Sequence, residues 1–365
     1  MSVKKNCIRF FIALGVSCVL GATVDARVVV HKKRYKKSNV KKTAPQRKKY
    51  TQKKAVPAAH VSQPANNLEE PSNLPNQYVA SDQLLVPNDS SLPVQKNYAV
   101  SQGRTLHLKI RAPSPLTNAY TTFAGTQYNF SPVEQGSDRY ECFLPVDCEQ
   151  AAGHYKIVVR TNSELGEKKN IACGVQVHAF PFKTQRGFKI SKKKLRSMRG
   201  RGVGGGRDNK LVKQYQKKSP PYKLWQGPFA WPINVRQETS PFGEIRISHG
   251  FGKRHHYGLD LAEHHNAPIH AANHGIIANK TTTPTSGNVI AIDHGLGVFT
   301  IYCHMNSFDR NINIGDYVKK GQRIGFIGQT GYASGPHLHL EMRIKDANNQ
   351  QLTAVDFKEW TQSIY

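Results

Sequence analysis

The sequence lacks two features that would assign it quickly to a common class of protein. Beyond residues 10–22, no stretch approaches the roughly 18 apolar residues that a membrane-spanning helix needs. The helix motif His-Glu-x-x-His is also absent, which excludes the metallopeptidases that carry two zinc ligands on one helix. We therefore expect a mature chain without a transmembrane segment, either soluble or peripheral to a membrane.

Cysteine is scarce, with six residues in 365, and two of the six lie in the N-terminal leader. Four remain downstream: Cys142, Cys148, Cys173 and Cys303. A disulfide among the first three would suit an oxidising compartment, but the sequence does not fix its pairing. Cys303 directly precedes His304, and strand alternation would point these two side chains to opposite faces. A buried apolar role therefore fits Cys303 better than a role as nucleophile.

Acidic residues are also few, 24 against 52 lysines and arginines, which gives a formal net charge of +28. Residues 27–54 contain thirteen basic side chains and no acidic one, and a second basic stretch covers 183–223. Such blocks repel themselves and hold too little apolar surface to fold. In an exported protein the favoured partners are anionic cell-envelope polymers or lipid headgroups. A solubilising tail and nonspecific binding of nucleic acid are the alternatives.

The N-terminal residues predict export. Lys4 and Lys5 precede the apolar run at 10–22, which is too short to span a membrane and is typical of a signal peptide. Residues 24–26 (Val-Asp-Ala) fit a small-residue cleavage site, so that residues 1–26 would be removed. The mature protein would then act in the periplasm or cell envelope, or be secreted.

Two histidines near the C-terminus carry the clearest chemical signal. His337 and His339 stand two residues apart in the segment Gly-Pro-His-Leu-His-Leu-Glu at 335–341. The preceding residues predict a strand and a turn, and on a strand the two histidines share one face while Leu338 faces the core. One imidazole can then bind a metal while the other lies beside it. Alone, such a pair leaves a chance origin open.

Further candidates stand upstream of this pair. His256 precedes Asp260 by four residues, and His304 ends an apolar, β-branched run. On an ideal strand His256 and Asp260 would be ~13 Å apart, too far for two ligands of one zinc ion with bonds of about 2 Å. The chain must therefore bend between them, and Gly258 allows the bend. Several other histidines lie in polar or turn-like sequence and are expected at the surface: His264, His265, His270, His274 and His294.

Together these motifs resemble the lysostaphin/LytM-type zinc metallopeptidases of family M23. The segments that carry the resemblance are His-x-x-x-Asp at 256–260, Tyr-x-His at 302–304 and Gly-Pro-His-x-His-x-Glu at 335–341. They occur in the family's order within residues 225–345. The resemblance implies an antiparallel β-sheet catalytic domain, Zn²⁺ as cofactor and bacterial peptidoglycan as substrate.

The resemblance also implies a role for each residue. His256, Asp260 and His339 would bind the zinc ion, which leaves one tetrahedral position for water. His337 would act as general base toward that water, whose pKa zinc lowers to roughly 7. His304 would stabilise the oxyanion that forms on the peptide carbonyl. The expected function is therefore that of an exported zinc-dependent endopeptidase of peptidoglycan.

Two other interpretations compete with this one. The segment 315–324 is also similar to the hairpin of biotinyl or lipoyl carrier domains, but it lacks an exposed lysine at a tight turn and leaves the histidines unexplained. A catalytically inactive M23-like protein could instead bind peptidoglycan or activate an amidase. The complete set of site residues argues against that second interpretation.

The sequence before the peptidase-like region predicts another β-rich domain. Short alternating runs at 105–110, 140–144, 155–160 and 172–177 suit a small sandwich, and Gly-His-Tyr at 153–155 resembles the tyrosine corner of immunoglobulin-like domains. We expect an all-β protein in which an immunoglobulin-like β-sandwich precedes an antiparallel peptidase sheet. The expected segments are a signal peptide (1–26), a disordered basic and Pro/Ser/Asn-rich linker (27–92), the immunoglobulin-like domain (93–182), a basic Gly-rich linker (183–224), the M23-type peptidase domain (225–350) and a C-terminal tail (351–365).

Overall fold

The computed structural model describes residues 84–85, 94–186, 219–248, 252–348, 351–363 and 365, and their regular secondary structure is almost entirely β. This confirms the prediction of an all-β protein. The expected signal peptide, nearly all of linker 27–92 and residues 187–218 of the second linker lie outside the described residues. The described part of the chain contains no helix that is both long and apolar enough to cross a membrane.

The structure has two domains. The N-terminal one, named here the sandwich domain, consists of two β-sheets. Its described strands are β1 (Leu84–Leu85), β2 (Val94–Ser101), β3 (Thr105–Arg111), β4 (Leu116–Phe123), β5 (Thr126–Asn129), β6 (Ser131–Pro132), β7 (Arg139–Pro145), β8 (Gly153–Ser163) and β9 (Lys168–His178). One sheet has four strands in the order β1-β3-β7-β6, and the other has five in the order β2-β9-β8-β4-β5.

The core of the sandwich domain is formed by residues from both sheets. In β3, Leu106, Leu108 and Ile110 are buried, while His107 and Lys109 between them are less buried. The buried residues join apolar side chains of the five-stranded sheet in one hydrophobic cluster. This alternation follows from the two-residue period of a strand with one buried face.

The sequence-predicted strands of this domain lie within β3, β7, β8 and β9. Near the start of β8, Tyr155 donates its hydroxyl hydrogen to the carbonyl of Ala151 over 2.6 Å. A hydrogen bond of this kind, to backbone a few residues upstream, characterises a tyrosine corner. The immunoglobulin-like topology itself stays a prediction.

The cysteines of the sandwich domain are buried thiols. Cys142, Cys148 and Cys173 form no disulfide with any residue in the described ranges. Burial raises the pKa of the Cys173 thiol to about 11, so this thiol stays protonated near neutral pH. The disulfide that the sequence allows is therefore not formed in this structure.

The C-terminal domain, named here the sheet domain, is built around a ten-stranded sheet. Its strands and helix, together with the short strand that leads into it, are β10 (Thr184–Arg186), β11 (Gln237–Ser240), β12 (Ile245–Ser248), β13 (Gly252–His255), β14 (Leu259–Ala262), β15 (Pro268–His270), β16 (Gly275–Thr283), β17 (Gly287–Asp293), β18 (Val298–Phe308), β19 (Tyr317–Val318), β20 (Arg323–Ile327), β21 (His337–Lys345), β22 (Leu352–Val355) and α1 (Phe357–Gln362). The sheet runs in the order β11-β14-β21-β18-β17-β16-β19, with β22 paired to β21, β20 to β18 and β15 to β20. A separate three-stranded sheet has the order β10-β12-β13.

Strand β21 divides its side chains between the core and the opposite face of the sheet. Leu338, Leu340 and Met342 have no exposed surface and belong to the main hydrophobic cluster of the domain. This confirms the prediction that Leu338 packs in the core. His337 and His339 alternate with these residues and therefore project from the other face.

Described residues beyond 350 form part of the sheet domain and of its core. The sequence predicts a C-terminal tail at 351–365. The structure instead pairs β22 with β21 and fully buries Trp360 of α1. Asp356 caps this helix, because its side chain accepts a hydrogen bond of 3.0 Å from the Lys358 backbone N–H. A helix of six residues is too short to show a helical period in the sequence, which is why the pattern gave no sign of it.

Helix α1 also joins the two domains. Phe143 of β7 belongs to the hydrophobic cluster of the sheet domain, and its ring centroid lies 5.5 Å from those of Trp225 and Trp360. Thr105 of β3 donates its backbone N–H to the two carboxylate oxygens of Glu359, over 3.3 and 3.0 Å. Trp360 Nε1 donates to the Thr105 hydroxyl over 3.3 Å. The contact between the domains is thus partly apolar and partly hydrogen-bonded.

Candidate metal centre

Asp260 and His339 are brought together by strand register. Strands β14 and β21 are antiparallel, and Asp260 lies directly opposite His339. Directly opposite residues project from the same face, with Cβ atoms about 4.5–5.5 Å apart. Asp260 Oδ1 accordingly lies 2.7 Å from His339 Nδ1. Leu259 and Leu340 fill the core from the other face, and a slip of one residue would expose them.

His256 joins this pair across the bend that the sequence predicts. Its Nε2 lies 3.1 Å from Asp260 Oδ1 and 3.0 Å from His339 Nδ1. A Cβ atom at Gly258 would lie 2.6 Å from the His339 ring and 2.8 Å from the Leu340 carbonyl oxygen. Glycine is therefore required at 258 because the chain passes so close to β21.

These three residues form a group that could hold a metal ion. The ligand atoms of His256, Asp260 and His339 all lie within 4.8 Å of one another. His256 is 5% exposed, and the other two are largely buried. Two imidazole nitrogens and one carboxylate oxygen are a typical ligand set of catalytic zinc sites.

The hydrogen bonds of both rings direct lone pairs toward one point. His256 Nδ1 donates to the Pro241 carbonyl over 3.0 Å, and His339 Nε2 donates to Glu341 Oε1 over 2.9 Å. In the neutral rings, His256 Nε2 and His339 Nδ1 are therefore unprotonated, and both face Asp260 Oδ1. Three lone pairs gathered in this way favour a cation between them.

The charges around the group favour a cation as well. Burial opposes the ionisation of Asp260, but its close contacts with His256 and His339 hold the pKa of its carboxyl well below the usual range. Burial lowers the pKa of His339, but its contacts with Asp260 and Glu341 outweigh burial and raise that pKa to about 10. Positive charge at His339 Nδ1 can come from a proton or from a metal ion that takes the proton's place.

His337 lies beside the three-residue group. Its Nδ1 donates to the Gly335 carbonyl over 2.9 Å, and its Nε2 lies 3.8 Å from Asp260 Oδ1. The ring centroid of His304 is 4.8 Å from that of His337 and 5.9 Å from that of His339. The structure therefore brings the five sequence-predicted site residues into one place.

His304 reaches this place through an uncommon backbone conformation. Its φ is 61°, in the left-handed region that non-glycine residues rarely adopt. Tyr302, two residues earlier, instead lies in the core, where its hydroxyl accepts a hydrogen bond of 2.9 Å from the Ala272 N–H. His304 Nδ1 donates to the Thr330 carbonyl over 2.8 Å. Burial lowers the pKa of the His304 imidazole to about 4, so the ring is neutral near pH 7 and its Nε2 is unprotonated.

Two expectations about nearby residues are wrong. Cys303 pairs with His339 in the register of β18 and β21, so both side chains occupy the same face. Strict alternation would separate Cys303 from His304, but it ends at the left-handed backbone of His304. His294, expected at the surface, is fully buried, and its Nδ1 donates to the His274 carbonyl over 2.7 Å. Cys303 does pack in an apolar cluster, as predicted.

Sequence reasoning missed the residues that form hydrogen bonds with the candidate metal ligands and with Glu341, the partner of His339. Arg246 Nη2 donates to Asp260 Oδ2 over 3.0 Å, and Arg343 Nε donates to Glu341 Oε2 over 2.6 Å. Glu341 could have been found, because it shares a strand face with His339 two residues away. No local pattern marks Arg246, which comes from another strand.

The region that contains these residues is similar in sequence to known proteins. The model of peptidase family M23 matches residues 254–352, which include all five site residues. The DD-carboxypeptidase/endopeptidase Mpg of Neisseria meningitidis serogroup B is 37% identical over 115 residues, which cover 31% of this chain and 26% of the relative. The peptidoglycan DD-endopeptidase ShyA of Vibrio cholerae serotype O1 is 31% identical over 143 residues, which cover 37% of this chain and 33% of the relative.

The similarity is confined to part of each protein. The chain spans about a quarter to a third of the length of these curated relatives. Among solved structures, the catalytic domain of lysostaphin from Staphylococcus simulans is 29% identical, with a TM-score of 0.30, and the match covers 35% of this chain and 92% of that domain. The residues that the family model matches, 254–352, lie in the sheet domain.

Proposed function

We propose that this chain, whose residues 254–352 match the model of peptidase family M23, is an exported zinc-dependent endopeptidase that hydrolyses peptide bonds of bacterial peptidoglycan. The observation that carries the proposal is the convergence of three metal-ligand atoms beside two further histidines. His256 Nε2, Asp260 Oδ1 and His339 Nδ1 lie within 4.8 Å of one another. The relatives are named as endopeptidases of DD bonds, which supports peptidoglycan as the substrate class.

The residues fit zinc by number and by type. Three protein ligands leave a fourth tetrahedral position open, which distinguishes catalytic from structural zinc sites. When bound, zinc supplies a Lewis acid that polarises the peptide carbonyl and makes a water molecule more acidic. His256, Asp260 and His339 would hold the ion. His337 and His304 remain for the proton transfers and for the charge that develops on the substrate.

His337 is proposed as the general base. Its Nδ1 hydrogen is engaged by the Gly335 carbonyl, which fixes the ring and places the lone pair of the neutral tautomer on Nε2. Nε2 lies 3.8 Å from Asp260 Oδ1 and is therefore close to the metal ligands without being one of them. A positioned imidazole can take a proton from an attacking water and pass it to the leaving amine.

His304 is proposed to assist at the carbonyl oxygen of the scissile bond. Its ring is held by the Thr330 carbonyl and by the left-handed backbone, so that Nε2 keeps one position. Because this nitrogen carries no proton in the neutral ring, His304 must take up a proton before it can donate to an oxyanion. That proton must come from solvent, because the proton that His337 takes from the attacking water goes to the leaving amine.

The test uses a purified, peptide-crosslinked muropeptide dimer. We expect the zinc-loaded protein to convert the dimer to monomers, a chelator to stop the conversion, and added zinc to restore it. Persistence of the dimer with zinc bound at one ion per chain would instead favour a catalytically inactive M23-like protein that binds peptidoglycan or activates an amidase. Cleavage that survives complete removal of metal would contradict the zinc-dependent mechanism.

The basic segment 27–54 lies outside the described residues, and we propose that it tethers the mature protein to anionic cell-envelope polymers or lipid headgroups. Its thirteen basic side chains and its lack of acidic ones support this role. We expect a protein without this segment to hydrolyse the soluble dimer at an unchanged rate but to bind intact cell envelopes less, with a difference that shrinks at high salt. Equal binding of both proteins at low salt would contradict tethering.

A further inference from the structure

We propose that Arg246 holds the outer oxygen of Asp260, so that this carboxylate offers a metal ion one oxygen rather than two. The inference rests on the proposed function for its metal, but it concerns a residue that the family motifs do not include. Arg246 would act through Asp260 and would not contact the substrate, so it is a positioning residue. Its effect would be to keep the fourth coordination position open for water.

The guanidinium of Arg246 is fixed by several contacts at once. Its Nη2 lies 3.0 Å from Asp260 Oδ2 and 2.6 Å from Ser240 Oγ, and its Nε lies 3.2 Å from Glu244 Oε2. Ser240 and Glu244 are also hydrogen-bonded to each other. The side chain of Arg246 is 26% exposed and that of Asp260 is 13% exposed. A guanidinium anchored on two sides keeps its direction toward Asp260.

This arrangement gives the two oxygens of Asp260 different partners. Oδ1 faces His339 Nδ1 at 2.7 Å and His256 Nε2 at 3.1 Å, whereas Oδ2 faces Arg246. A carboxylate with both oxygens free can bind a metal through either or both of them. If Oδ2 joined Oδ1 on zinc, it would occupy the position that a catalytic site leaves open. The hydrogen bond from Arg246 makes that rearrangement costly.

The positive charge of Arg246 has a second consequence for the ligand. A cation on Oδ2 withdraws electron density from the carboxylate, so Asp260 neutralises a bound metal less completely. Partners behind the ligands tune a metal in this way, and their removal typically costs about 10–100-fold in metal affinity or activity. If Arg246 only held the strands together, its removal would change neither the coordination by Asp260 nor the charge on that carboxylate. It would also change stability little, because ion pairs of this exposure contribute little to stability.

The experiment compares Arg246→Met and Arg246→Lys with the unaltered chain, after loading with Co²⁺ or Zn²⁺. Methionine removes both charge and hydrogen bonds, while lysine keeps the charge but cannot reach Asp260, Ser240 and Glu244 together. We expect Arg246→Met to bind one metal ion per chain and to lower kcat/KM on the muropeptide dimer about 10–100-fold. The visible absorption bands of bound Co²⁺ should shift, because the second oxygen of Asp260 would take the coordination position that is open to water in the unaltered chain. The cobalt spectrum and kcat/KM of Arg246→Lys should lie between those of Arg246→Met and those of the unaltered chain.

The matched control is Arg323→Met in the same domain. Arg323 Nε lies 2.8 Å from Asp309 Oδ2, so this change also removes an arginine–aspartate pair, but one that holds no ligand. We expect the control to keep the cobalt spectrum and kcat/KM of the unaltered protein. An Arg246→Met protein with an unchanged cobalt spectrum and unchanged kcat/KM would overturn the inference, as would loss of the metal together with a large loss of thermal stability.

The two proposals can fail separately. If the unaltered chain binds Co²⁺ but cleaves no dimer, the proposed function fails, and the change of cobalt spectrum in Arg246→Met still supports the inference about Asp260. If the dimer is cleaved and the spectrum of Arg246→Met matches that of the unaltered chain, the inference about Arg246 fails and the proposed function stands.

Discussion

Replacing His337 with alanine is expected to leave one zinc ion bound and to lower kcat by about 10²–10⁴-fold, whereas replacing His339 with alanine is expected to remove both zinc and activity. The two histidines are neighbours on one strand face, yet only His339 belongs to the group of converging ligand atoms. His337 Nε2 lies 3.8 Å from Asp260 Oδ1 and has its other nitrogen engaged by Gly335. We therefore propose that His337 acts as the base and His339 as a metal ligand.

The measurement is the zinc content of each purified protein after dialysis, together with its rate on the muropeptide dimer. His264→Ala is a suitable control, because the His264 side chain is 76% exposed and belongs to the same domain. It should keep full zinc and full rate. Equal loss of zinc from His337→Ala and His339→Ala would contradict the division of roles, and so would full zinc occupancy in His339→Ala.

Replacing Glu359 with glutamine is expected to stabilise the folded protein at pH 8 by about 3 kcal/mol and to have little effect near pH 4.5. Burial raises the pKa of the Glu359 carboxyl to about 7, from an ordinary value of 4.5. Between these values the folded state binds a proton that the unfolded state has released. Stability therefore falls as pH rises from about 4.5 to about 7, and the full cost remains above pH 7. Glutamine carries no charge and removes that cost at every pH.

This change also tests the joint between the domains. Glu359 accepts the backbone N–H of Thr105 from the sandwich domain, and an amide oxygen can accept the same hydrogen bond. The measurement is urea unfolding of both proteins at pH 4.5, 6 and 8. Glu164→Gln, an exposed position, provides the control and should shift stability by less than about 0.5 kcal/mol. If the free energies of unfolding of the Glu359 variant and the unaltered protein changed in parallel with pH, Glu359 would not be buried between the two domains.

The local part of this site could be predicted from the sequence because strands have a period of two. That period predicts a shared face for His337 and His339 and a core position for Leu338, and the structure agrees. The bend between His256 and Asp260 was predicted because an extended strand would hold these two residues too far apart to bind one ion. Gly258 was expected to allow the bend, and the structure shows that it also leaves room for the His339 ring.

The remaining parts depend on contacts between distant segments, which no local pattern reveals. Arg246 reaches Asp260 only after β12 and β14 have been placed near each other. The left-handed backbone of His304 breaks the alternation that was used to place Cys303. The helix that carries Trp360 is too short to show a period, and its role appears only when Phe143 from the other domain packs against it.

The proposed endopeptidase activity is tested most directly by mass analysis of the new termini after purified peptidoglycan has been digested with the zinc-loaded protein. We expect new amino and carboxyl termini within the peptide crosslinks, and none after the metal has been removed by chelation. Intact crosslinks with one zinc ion bound per chain, or termini found only in the glycan strands or at the amide that joins peptide to glycan, would contradict it.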